Sequence, residues 1–338
     1  MNRYFPAEWE EQSFVQLTWP HADTDWAYML AEVSDCFCNI AREIAARERL
    51  LIVAPNVDDV RRQIEDVVNM DDVRFAELPS NDTWARDHGG ITIIEDGRPV
   101  ILDFCFNGWG LKFAADRDNL ITSRLHDDGF LQGELRNCRN FVFEGGSIES
   151  DGKGTLLTTA ECLLSLNRNA TMCRADIERY LLDTFGAEQL LWLDYGYLAG
   201  DDTDSHIDTL ARLCPNNTIA YVAPPTDTAD EHYQSLTQMQ AQLRTFRTLQ
   251  SEPFRLVPLP MAETVYDEAG CRLPATYANF LIINGAVLVP TYNTPTDNKA
   301  LAVFSTLFPN REIVGIDCSA LIRQHGSLHC VTMQYPKI

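Results

Sequence analysis

Hydrophobic residues along the chain form short runs, several of which are paired around a tight turn. Two apolar runs flank an Asp-Gly, Asn-Asn or Asn-Gly dipeptide in residues 91–103, 147–158, 206–223 and 280–291. Asp-Gly and Asn-Gly accept the positive φ angles that a two-residue hairpin loop requires. The pattern predicts β-hairpins in these four segments, with turns at residues 96, 151, 216 and 284.

Helical periodicity occupies the stretches between the hairpins. Apolar residues recur three or four positions apart in residues 25–47, 57–68, 174–185, 229–249 and 297–308. Apolar runs predict further strands at residues 50–53, 190–193, 254–259 and 313–316. A unit of hairpin, helix and strand, repeated about every 60 residues, indicates pseudo-symmetric modules in one domain. A two-domain α/β protein stays open, although the sequence shows no Gly/Ser/Pro-rich linker.

Charge narrows the classes of partner. Among 338 residues, 27 are Lys or Arg and 49 are Asp or Glu, which gives a formal charge of −22. Nucleic acids and anionic membranes require a basic face, so neither is expected as a partner. An acidic protein is compatible with a cationic small-molecule substrate.

The expected cellular compartment rests on the lack of a recognisable signal peptide or membrane-spanning segment in the sequence. Residues 1–19 contain no apolar core of a signal peptide, and the longest apolar run, residues 280–290, is shorter than the ~20 residues of a membrane span. Ten cysteines with no C-x-x-C pair are typical of reduced thiols in a cytoplasmic protein rather than of a zinc site. We therefore expect a cytoplasmic protein without a metal.

Polar clusters adjoin the hairpins. They occupy residues 83–90, 143–147, 201–208 and 327–332. Each cluster alone is ambiguous, because an Asp beside glycines is often a turn residue, a His-x-Asp pair can be structural and a cysteine is often a core residue. Modules arranged around an axis would bring the clusters together, and their joint occurrence favours one shared site.

Several motifs resemble those of one enzyme family. They are FPAEWE at residues 5–10, TWPH at 18–21 with Asp25-Trp26, WARD at 84–87, FNGWG at 106–110, EGGSI at 144–148, NRN at 167–169, the run 202–208 and HCVTMQYP at 329–336. In this order they resemble the agmatine deiminases of the guanidine-modifying (pentein) superfamily. The resemblance implies one catalytic domain over residues 1–338, an α/β-propeller of five pseudo-symmetric ββαβ modules whose first module is closed by pairing of the chain ends.

The resemblance also implies a catalytic set of Asp87, Glu144, His206, Asp208 and Cys330. A guanidinium carbon is a poor electrophile, and a positioned thiolate is a suitable nucleophile for it. Two carboxylates can hold the guanidinium N–H groups, and a histidine can protonate the departing ammonia and then activate water. This chemistry needs no metal and no organic cofactor. The carboxylates raise the pKa of the thiol, and we expect the cationic substrate or a protonated His206 to compensate.

Five residues are expected to bind the substrate: Asp87, Asp208, Trp84, Trp109 and Asp202. Trp84 is either a wall for an alkyl chain or plain core packing, and Asp202 either meets a distal ammonium or is a solvated loop residue. The triplet 167–169 receives no firm role. His325 and Ser327 stand where the family usually has glycines.

The expected activity is hydrolysis of agmatine to N-carbamoylputrescine and ammonia through a covalent amidino-cysteine intermediate, a step of putrescine biosynthesis. The alternatives are a peptidyl-arginine deiminase, an amidinotransferase with the same intermediate, and a non-catalytic binding protein of the same fold. The sequence leaves open whether the protein forms a homo-oligomer.

Overall fold

The computed structural model describes residues 2–338. The strands are β1 (Arg3–Tyr4), β2 (Gln12–Thr18), β3 (Arg49–Ala54), β4 (Val73–Glu77), β5 (Ile91–Glu95), β6 (Arg98–Cys105), β7 (Glu134–Val142), β8 (Ile148–Ser150), β9 (Thr155–Thr159), β10 (Gln189–Leu193), β11 (Ala211–Cys214), β12 (Thr218–Val222), β13 (Arg255–Leu259), β14 (Val265–Tyr266), β15 (Arg272–Leu273), β16 (Leu281–Ile283), β17 (Ala286–Thr291), β18 (Glu312–Asp317) and β19 (Thr332–Pro336). The α-helices are α1 (Leu30–Ala45), α2 (Val57–Ile64), α3 (Ala85–His88), α4 (Gly108–Leu111), α5 (Ile121–Asp127), α6 (Ala160–Leu163), α7 (Leu166–Asn169), α8 (Arg174–Phe185), α9 (Tyr233–Leu243) and α10 (Pro295–Leu307).

Within residues 2–338, five of the sheets share one design, in which an antiparallel pair is extended by a parallel strand. Their strand orders are β19-β2-β3-β4, β1-β5-β6-β7, β8-β9-β10, β11-β12-β13 and β16-β17-β18. Parallel neighbours need a long crossover connection, and helices α1, α5, α8, α9 and α10 provide it. The fold is therefore α/β with mixed sheets, and the hairpin–helix–strand unit predicted from the sequence is confirmed.

All four predicted hairpins are present. Asp96 and Gly97 have φ of 49° and 76°, and Asn216 and Asn217 have 61° and 51°. Positive φ at both central residues is the geometry that lets a two-residue loop follow the strand twist. These two dipeptides thus mark their turns for the physical reason that the sequence suggested. In the other two dipeptides only Gly152 and Gly285 have positive φ, and the loop between β8 and β9 has four residues.

The predicted helices are present with different ends. The prediction for residues 174–185 matches α8, whereas α1 begins at Leu30 rather than at residue 25 because a 3₁₀ turn (Ala27–Met29) precedes it. Helix α2 ends at Ile64, so Val67, which the helical pattern placed on the buried face, is 40% exposed. Helix α5 and strand β7 were not predicted from the sequence, since β7 reads ELRNCRNFV and lacks an apolar run.

The two ends of the chain meet in one sheet. Strand β19 lies antiparallel to β2, which confirms that pairing of the chain ends closes the first module. The rings of Phe14 and Tyr335 stack across this pair with centroids 4.5 Å apart, and the Tyr335 hydroxyl donates to Gln16 at 3.0 Å. Strand β1 instead joins β5 of the next sheet.

Buried charge is concentrated between the sheets. The side chains that are almost fully buried and ionisable include Arg86, Asp87, Glu144, Glu149, His206, Asp208, Arg212 and His329. Ionised groups remain buried only when they are paired or hydrogen-bonded, so this cluster marks the place where the fold keeps polar chemistry. None of the helices in residues 2–338 combines the length and apolarity of a membrane crossing.

Closure of the first sheet predicts a stability effect. Tyr335→Ala removes the Phe14 stack and the Gln16 hydrogen bond from a side chain that is 4% exposed. We expect the free energy of unfolding, measured by urea denaturation, to fall by about 3–5 kcal/mol, as for other buried aromatic truncations. Tyr266→Ala is the control, because Tyr266 is 59% exposed and should change stability by less than about 0.5 kcal/mol. Equal effects would contradict this account of closure.

Candidate active site

The predicted catalytic residues all lie just ahead of one strand of an antiparallel pair. Asp87 belongs to α3, ahead of β5; Glu144 precedes β8; His206 and Asp208 precede β11; Cys330 precedes β19. Because the sheets repeat one design, equivalent loops carry these side chains into a common region, where all five are buried. The structure therefore brings together the five residues expected to form the catalytic set.

A glycine pair allows these side chains to approach one another. The Gly146 N–H donates to Asp87 Oδ1 at 2.9 Å. A Cβ at Gly146 would lie 2.6 Å from His206 Nδ1 and 2.8 Å from Asp87 Oδ1, and one at Gly145 would lie 2.2 Å from the Arg86 carbonyl oxygen. No other residue type fits there. The two glycines of EGGSI thus make room for the site.

His206 lies between two carboxylates. Its Nδ1 is 3.6 Å from Asp87 Oδ1, and its Nε2 is 3.9 Å from Glu144 Oε2. Burial alone would lower the pKa of His206, but the charge of Asp87, followed by Cys162 and Glu144, raises this pKa well above its usual value. The ring is therefore an imidazolium that can donate a proton.

Glu144 is ionised and held by an arginine. Arg168 Nε lies 2.9 Å from each oxygen of Glu144. Burial raises the pKa of Glu144, but the nearby His206 and the charge of Arg168 outweigh burial and lower it. Glu144 and His206 therefore form a buried ion pair whose charges stabilise each other.

Cys330 is a buried thiol. Its Sγ donates to Asn279 Oδ1 at 3.3 Å and lies 4.0 Å from Asp208 Oδ2. Burial raises the pKa of Cys330 well above its usual value, and the charges of Asp208 and Asp87 add to this increase. The unliganded site thus holds a neutral thiol, and thiolate formation requires an added positive charge.

The two aspartates differ in their partners. Asp87 Oδ2 accepts from Trp109 Nε1 at 2.9 Å, so both Asp87 oxygens are engaged. Asp208 Oδ2 contacts His329 Nδ1 at 2.8 Å, whereas Asp208 Oδ1 is buried without a hydrogen-bond partner in residues 2–338. A buried acceptor that lacks a donor is costly, so Asp208 Oδ1 is suited to receive an N–H group from a ligand.

A pocket leads from the surface to Cys330 and Asp87. Its empty volume, including the opening to solvent, is about 490 Å³. Aromatic rings of Trp84, Trp109 and Phe113 form its walls. His206, Glu144 and Asp208 do not line this pocket and lie behind its floor. The pocket is thus a narrow, partly aromatic channel that ends at a thiol and a carboxylate.

The mouth of the pocket is acidic. Asp25, Asp82, Asp201 and Asp202 line it, and none of the described residues lining the pocket is Lys or Arg. Burial, together with the charge of Asp201, raises the pKa of Asp202 to about 6, and burial raises that of Asp82 to about 6. Asp202 is half-buried at the mouth, so its placement favours the substrate-facing alternative over a solvated loop residue.

The wall that carries Trp109 is strained and braced. Residues 108–111 all have positive φ, including 54° at Trp109 and 68° at Leu111, which is costly for residues with a side chain. Lys112 Nζ donates to Asp204 Oδ1 at 2.7 Å and to the Asp202 carbonyl oxygen at 2.6 Å. This contact joins the Trp109 wall to the acidic loop, so the two sides of the pocket are held at a fixed separation.

The two residues that replace family glycines have different surroundings. His325 lines the pocket with φ of 65°, and its Nδ1 lies 2.7 Å from the Gly200 carbonyl oxygen. Ser327 is buried, and its hydroxyl is 2.9 Å from Tyr292 Oη. Only His325 of these two can therefore influence what enters the pocket.

Trp84 combines the two roles that were left open. Its ring is 7% exposed, packs against Trp26 and lines the pocket. A Cβ at Gly326 would lie 2.1 Å from that ring. Trp84 is thus both a core residue and a pocket wall, and Gly326 is the residue of this loop that must remain a glycine.

Sequence reasoning missed two residues of the site. Arg168 received no role within the triplet 167–169, yet it holds Glu144. Asn279 precedes β16 and accepts from the backbone N–H of His329 at 2.9 Å as well as from the Cys330 thiol. The repeat could have indicated Asn279, since it precedes β16 of an antiparallel pair, as Asp87 precedes β5 and Cys330 precedes β19 of theirs. Burial of Arg168 leaves no mark in the sequence.

Known proteins share this sequence and fold. Residues 4–336 match the family model of the Porphyromonas-type peptidyl-arginine deiminases. The agmatine deiminase of Pseudomonas aeruginosa (strain LESB58) is 31% identical over 366 residues, which cover 98% of this chain and 95% of that protein. The chain therefore belongs to the Porphyromonas-type peptidyl-arginine deiminase family, and the resemblance to agmatine deiminases is confirmed.

Two solved structures superpose along nearly the whole chain. A Porphyromonas gingivalis structure, provisionally assigned as an arginine deiminase, is 56% identical with a TM-score of 0.94 and covers 99% of both chains. A C. jejuni agmatine deiminase, solved as a cysteine-to-serine variant with substrate bound, is 38% identical with a TM-score of 0.93 and covers 99% of this chain and 97% of that one.

The buried Arg168–Glu144 contact predicts a large loss of stability on substitution. Both side chains are 0% exposed, so Arg168→Gln removes the cation that is hydrogen-bonded to Glu144 and leaves this buried charge with His206 at 3.9 Å as its cationic partner. We expect the free energy of unfolding to fall by about 3–5 kcal/mol. The matched control is Arg179→Gln, whose partner Asp176 lies 2.6 Å away with side chains 69% and 40% exposed, and which should cost under about 0.5 kcal/mol. Similar losses in a urea titration would refute this reading of Arg168.

Proposed function

We propose that this protein is an agmatine deiminase, which hydrolyses agmatine to N-carbamoylputrescine and ammonia. The observation that best supports this function is the set of residues that line one pocket. A thiol and a carboxylate form its floor, an unpartnered acceptor (among residues 2–338) lies behind it and aspartates form its mouth. A guanidinium is a planar multiple donor that suits the floor, and an ammonium suits the mouth. The named relatives add independent support.

Asp87 and Asp208 hold the guanidinium in this proposal. Asp208 Oδ1 has no donor within the described part of the chain, and a substrate N–H satisfies it. Asp87 is fixed from two sides by Trp109 and Gly146, so it presents its charge in one orientation. Two fixed carboxylates define the plane of the guanidinium and leave its carbon facing Cys330.

The positive charge of the substrate offsets the effects that raise the pKa of the Cys330 thiol. Burial and two carboxylates hold Cys330 neutral in the unliganded site. The bound guanidinium supplies a positive charge next to Sγ, which lowers the pKa of Cys330 when the electrophile is in place. The nucleophile is therefore formed in the enzyme–substrate complex.

The reaction then proceeds in two halves. As the S–C bond forms, the thiol proton passes to solvent, and His206 donates its own proton to the departing amine, so that ammonia leaves an amidino-thioether on Cys330. Neutral His206 next accepts a proton from water, and the hydroxide adds to the amidino carbon. The C–S bond then breaks, and the proton of the added hydroxyl returns to the Cys330 sulfur as the ureido product forms. Glu144 stabilises the cationic form of His206 through the buried ion pair.

Peptidyl-arginine deimination is the second candidate. The matching family carries that activity in its name, and His325 lines the pocket of this chain. The acidic mouth favours agmatine, because a distal ammonium is attracted to the aspartates while the α-carboxylate of free arginine is repelled. An amidinotransferase would use the same intermediate with an amine in place of water.

We also infer the wider setting of this activity. Residues 1–338 form a single catalytic domain in which the five sheets surround the site as an α/β-propeller, and the repeated hairpin position of the site residues supports this arrangement. All ten cysteines are unpaired thiols, which is consistent with a cytoplasmic enzyme. The product suits putrescine biosynthesis. No cofactor is required by the chemistry.

Ammonia release from agmatine, free arginine and a blocked arginine peptide, compared side by side, tests the proposal. We expect agmatine to be turned over, and Cys330→Ser to lower kcat by about 10³-fold or more, since a hydroxyl is far less acidic than a thiol. Mass spectrometry of acid-quenched wild type should show an amidino adduct on Cys330. Cys138→Ser is the control for a buried cysteine outside the site, because Cys138 lies in β7, and it should leave kcat unaltered. An adduct on any other cysteine would remove Cys330 from its role.

The acidic mouth predicts how specificity is lost. Asp202→Asn removes a charge that a distal ammonium meets in the ground and transition states alike, so KM for agmatine should rise about tenfold or more with little change in kcat. Because the pKa of Asp202 is about 6, the wild-type KM should also rise as the pH falls through 6, and less steeply in the variant.

The exposed Asp66 gives a matched control. Asp66→Asn makes the same change of net charge and should leave KM unaltered. Equal turnover of agmatine and the blocked peptide by the wild type would favour the peptidyl-arginine reading.

A further inference from the structure

His329 lies beside the nucleophile but faces away from the pocket. Cys330 lines the pocket, whereas His329 lines a separate cavity together with Glu8 and Glu149. The His329 ring is buried, and its backbone N–H donates to Asn279. Neither the catalytic steps nor the substrate-binding residues described above use this side chain.

The His329 ring bridges two carboxylates. Nδ1 lies 2.8 Å from Asp208 Oδ2, and Nε2 lies 2.7 Å from Glu8 Oε2. A carboxylate only accepts hydrogen bonds, so the ring donates from Nδ1 to Asp208, while Nε2 lies between Glu8 Oε2 and Arg212 Nη2, the latter 3.1 Å away. His329 thereby occupies one oxygen of Asp208 and leaves the other, Oδ1, for a ligand.

We propose that His329 is a positioning residue for deimination, which fixes Asp208 so that Oδ1 faces the guanidinium, and that Glu8 fixes His329 in turn. This inference rests on the proposed function. Burial would raise the pKa of Asp208, but the hydrogen bond and charge of His329, with His206 and Arg212, lower it. His329 thus keeps the substrate-holding carboxylate ionised as well as oriented.

Charged groups of both signs surround His329. The carboxylates are Asp208, Glu8 and Glu149, and the arginines are Arg212 and Arg86. Arg212 donates to Glu8 at 2.8 Å and to Glu149 at 2.5 Å, so a cation already lies among the residues that could otherwise ligate a metal with His329. The other titratable groups that face Asp208 are His206, Cys330 and Asp87.

The local fold does not depend on the ring alone. Glu8 Oε1 accepts from the Ile282 N–H at 2.7 Å, and Arg212 donates to the carbonyl oxygens of Ala278 and Phe280 at 3.1 and 2.6 Å. These bonds hold the Glu8 segment and the Asn279 loop without His329. A substitution of the ring therefore tests its effect on Asp208.

Two amide substitutions separate the ring nitrogens. His329→Asn places an N–H donor near Nδ1 and retains the contact to Asp208, whereas His329→Gln places its amide near Nε2 and loses that contact. We expect kcat/KM for agmatine to fall about 10²-fold in His329→Gln, on the scale of losing an orienting partner, and less than tenfold in His329→Asn.

The pH profile supplies a readout that a packing role would not move. Without the His329 donor the pKa of Asp208 rises, so the acid limb of kcat/KM should move to higher pH in His329→Gln and move less in His329→Asn, which keeps a donor to Asp208. Equal losses in both variants with an unmoved acid limb overturn the proposal, as does wild-type kcat/KM in His329→Gln. Wild-type turnover of agmatine in the same assay separates a failure of this inference from a failure of the proposed function.

If neither His329→Gln nor His329→Asn folds, ¹⁵N NMR of the histidine rings tests the positioning role of His329. Folded Cys330→Ser protein should bind agmatine without turnover, and binding should shift the Nδ1–H resonance of His329, because its acceptor Asp208 then shares its charge with the substrate. An Nδ1–H resonance that does not move on saturation with agmatine overturns the proposal.

Discussion

The arrangement of the site depends on the pairing of Arg212 with carboxylates inside the protein. This side chain is 0% exposed, and its guanidinium donates to Glu8 and Glu149 and to two carbonyl oxygens of the Asn279 loop. Glu8 comes from the N-terminal segment and Glu149 from β8. One cation therefore ties together segments that are far apart in sequence. Removing it would strand two buried charges, which is why such pairs are costly to break even when they add little net stability.

With the proposed function, the protein binds a guanidinium twice, once in the Arg212 side chain and once in the substrate. Arg212 has carboxylates at its edge and the ring of Phe280 over its face, with Cζ 4.4 Å from the ring centroid. The substrate site presents carboxylates in the same way, but a thiol replaces the aromatic ring. A ring stabilises the cation through its π face, whereas a sulfur can attack the carbon once it is ionised. The group over the guanidinium plane thus distinguishes structural binding from chemistry.

Turn dipeptides and hydrophobic periodicity allowed many of the turns, helices and strands to be predicted. The other elements and several element ends depend on packing between distant parts of the chain. Asp96-Gly97 and Asn216-Asn217 accept positive φ at little cost, so their turns could be predicted directly from the sequence. Strand β7 could not, because its apolar residues are few and its pairing with β6 supplies the stabilisation. Helix α2 stops before Val67 although the periodicity continues. Periodicity reports which face could be buried, and only the neighbouring elements determine where burial ends.

The site shows the same division at the level of single residues. Cys330, His206 and the three carboxylates carry their chemistry in their side chains, and family motifs locate them. The other residues are Arg168, Asn279 and His329. Each acts by fixing another side chain or loop, and such a role can be seen only when the folded structure brings the two partners into contact.

Residues that fix the catalytic carboxylates also explain how a site with so many negative charges stays ordered before substrate binds. Asp87 has Trp109 and Gly146, Glu144 has Arg168, and Asp208 has His329 on one oxygen alone. The remaining oxygen, Asp208 Oδ1, carries negative charge and has no hydrogen-bond donor among residues 2–338. A planar cationic ligand can supply that donor.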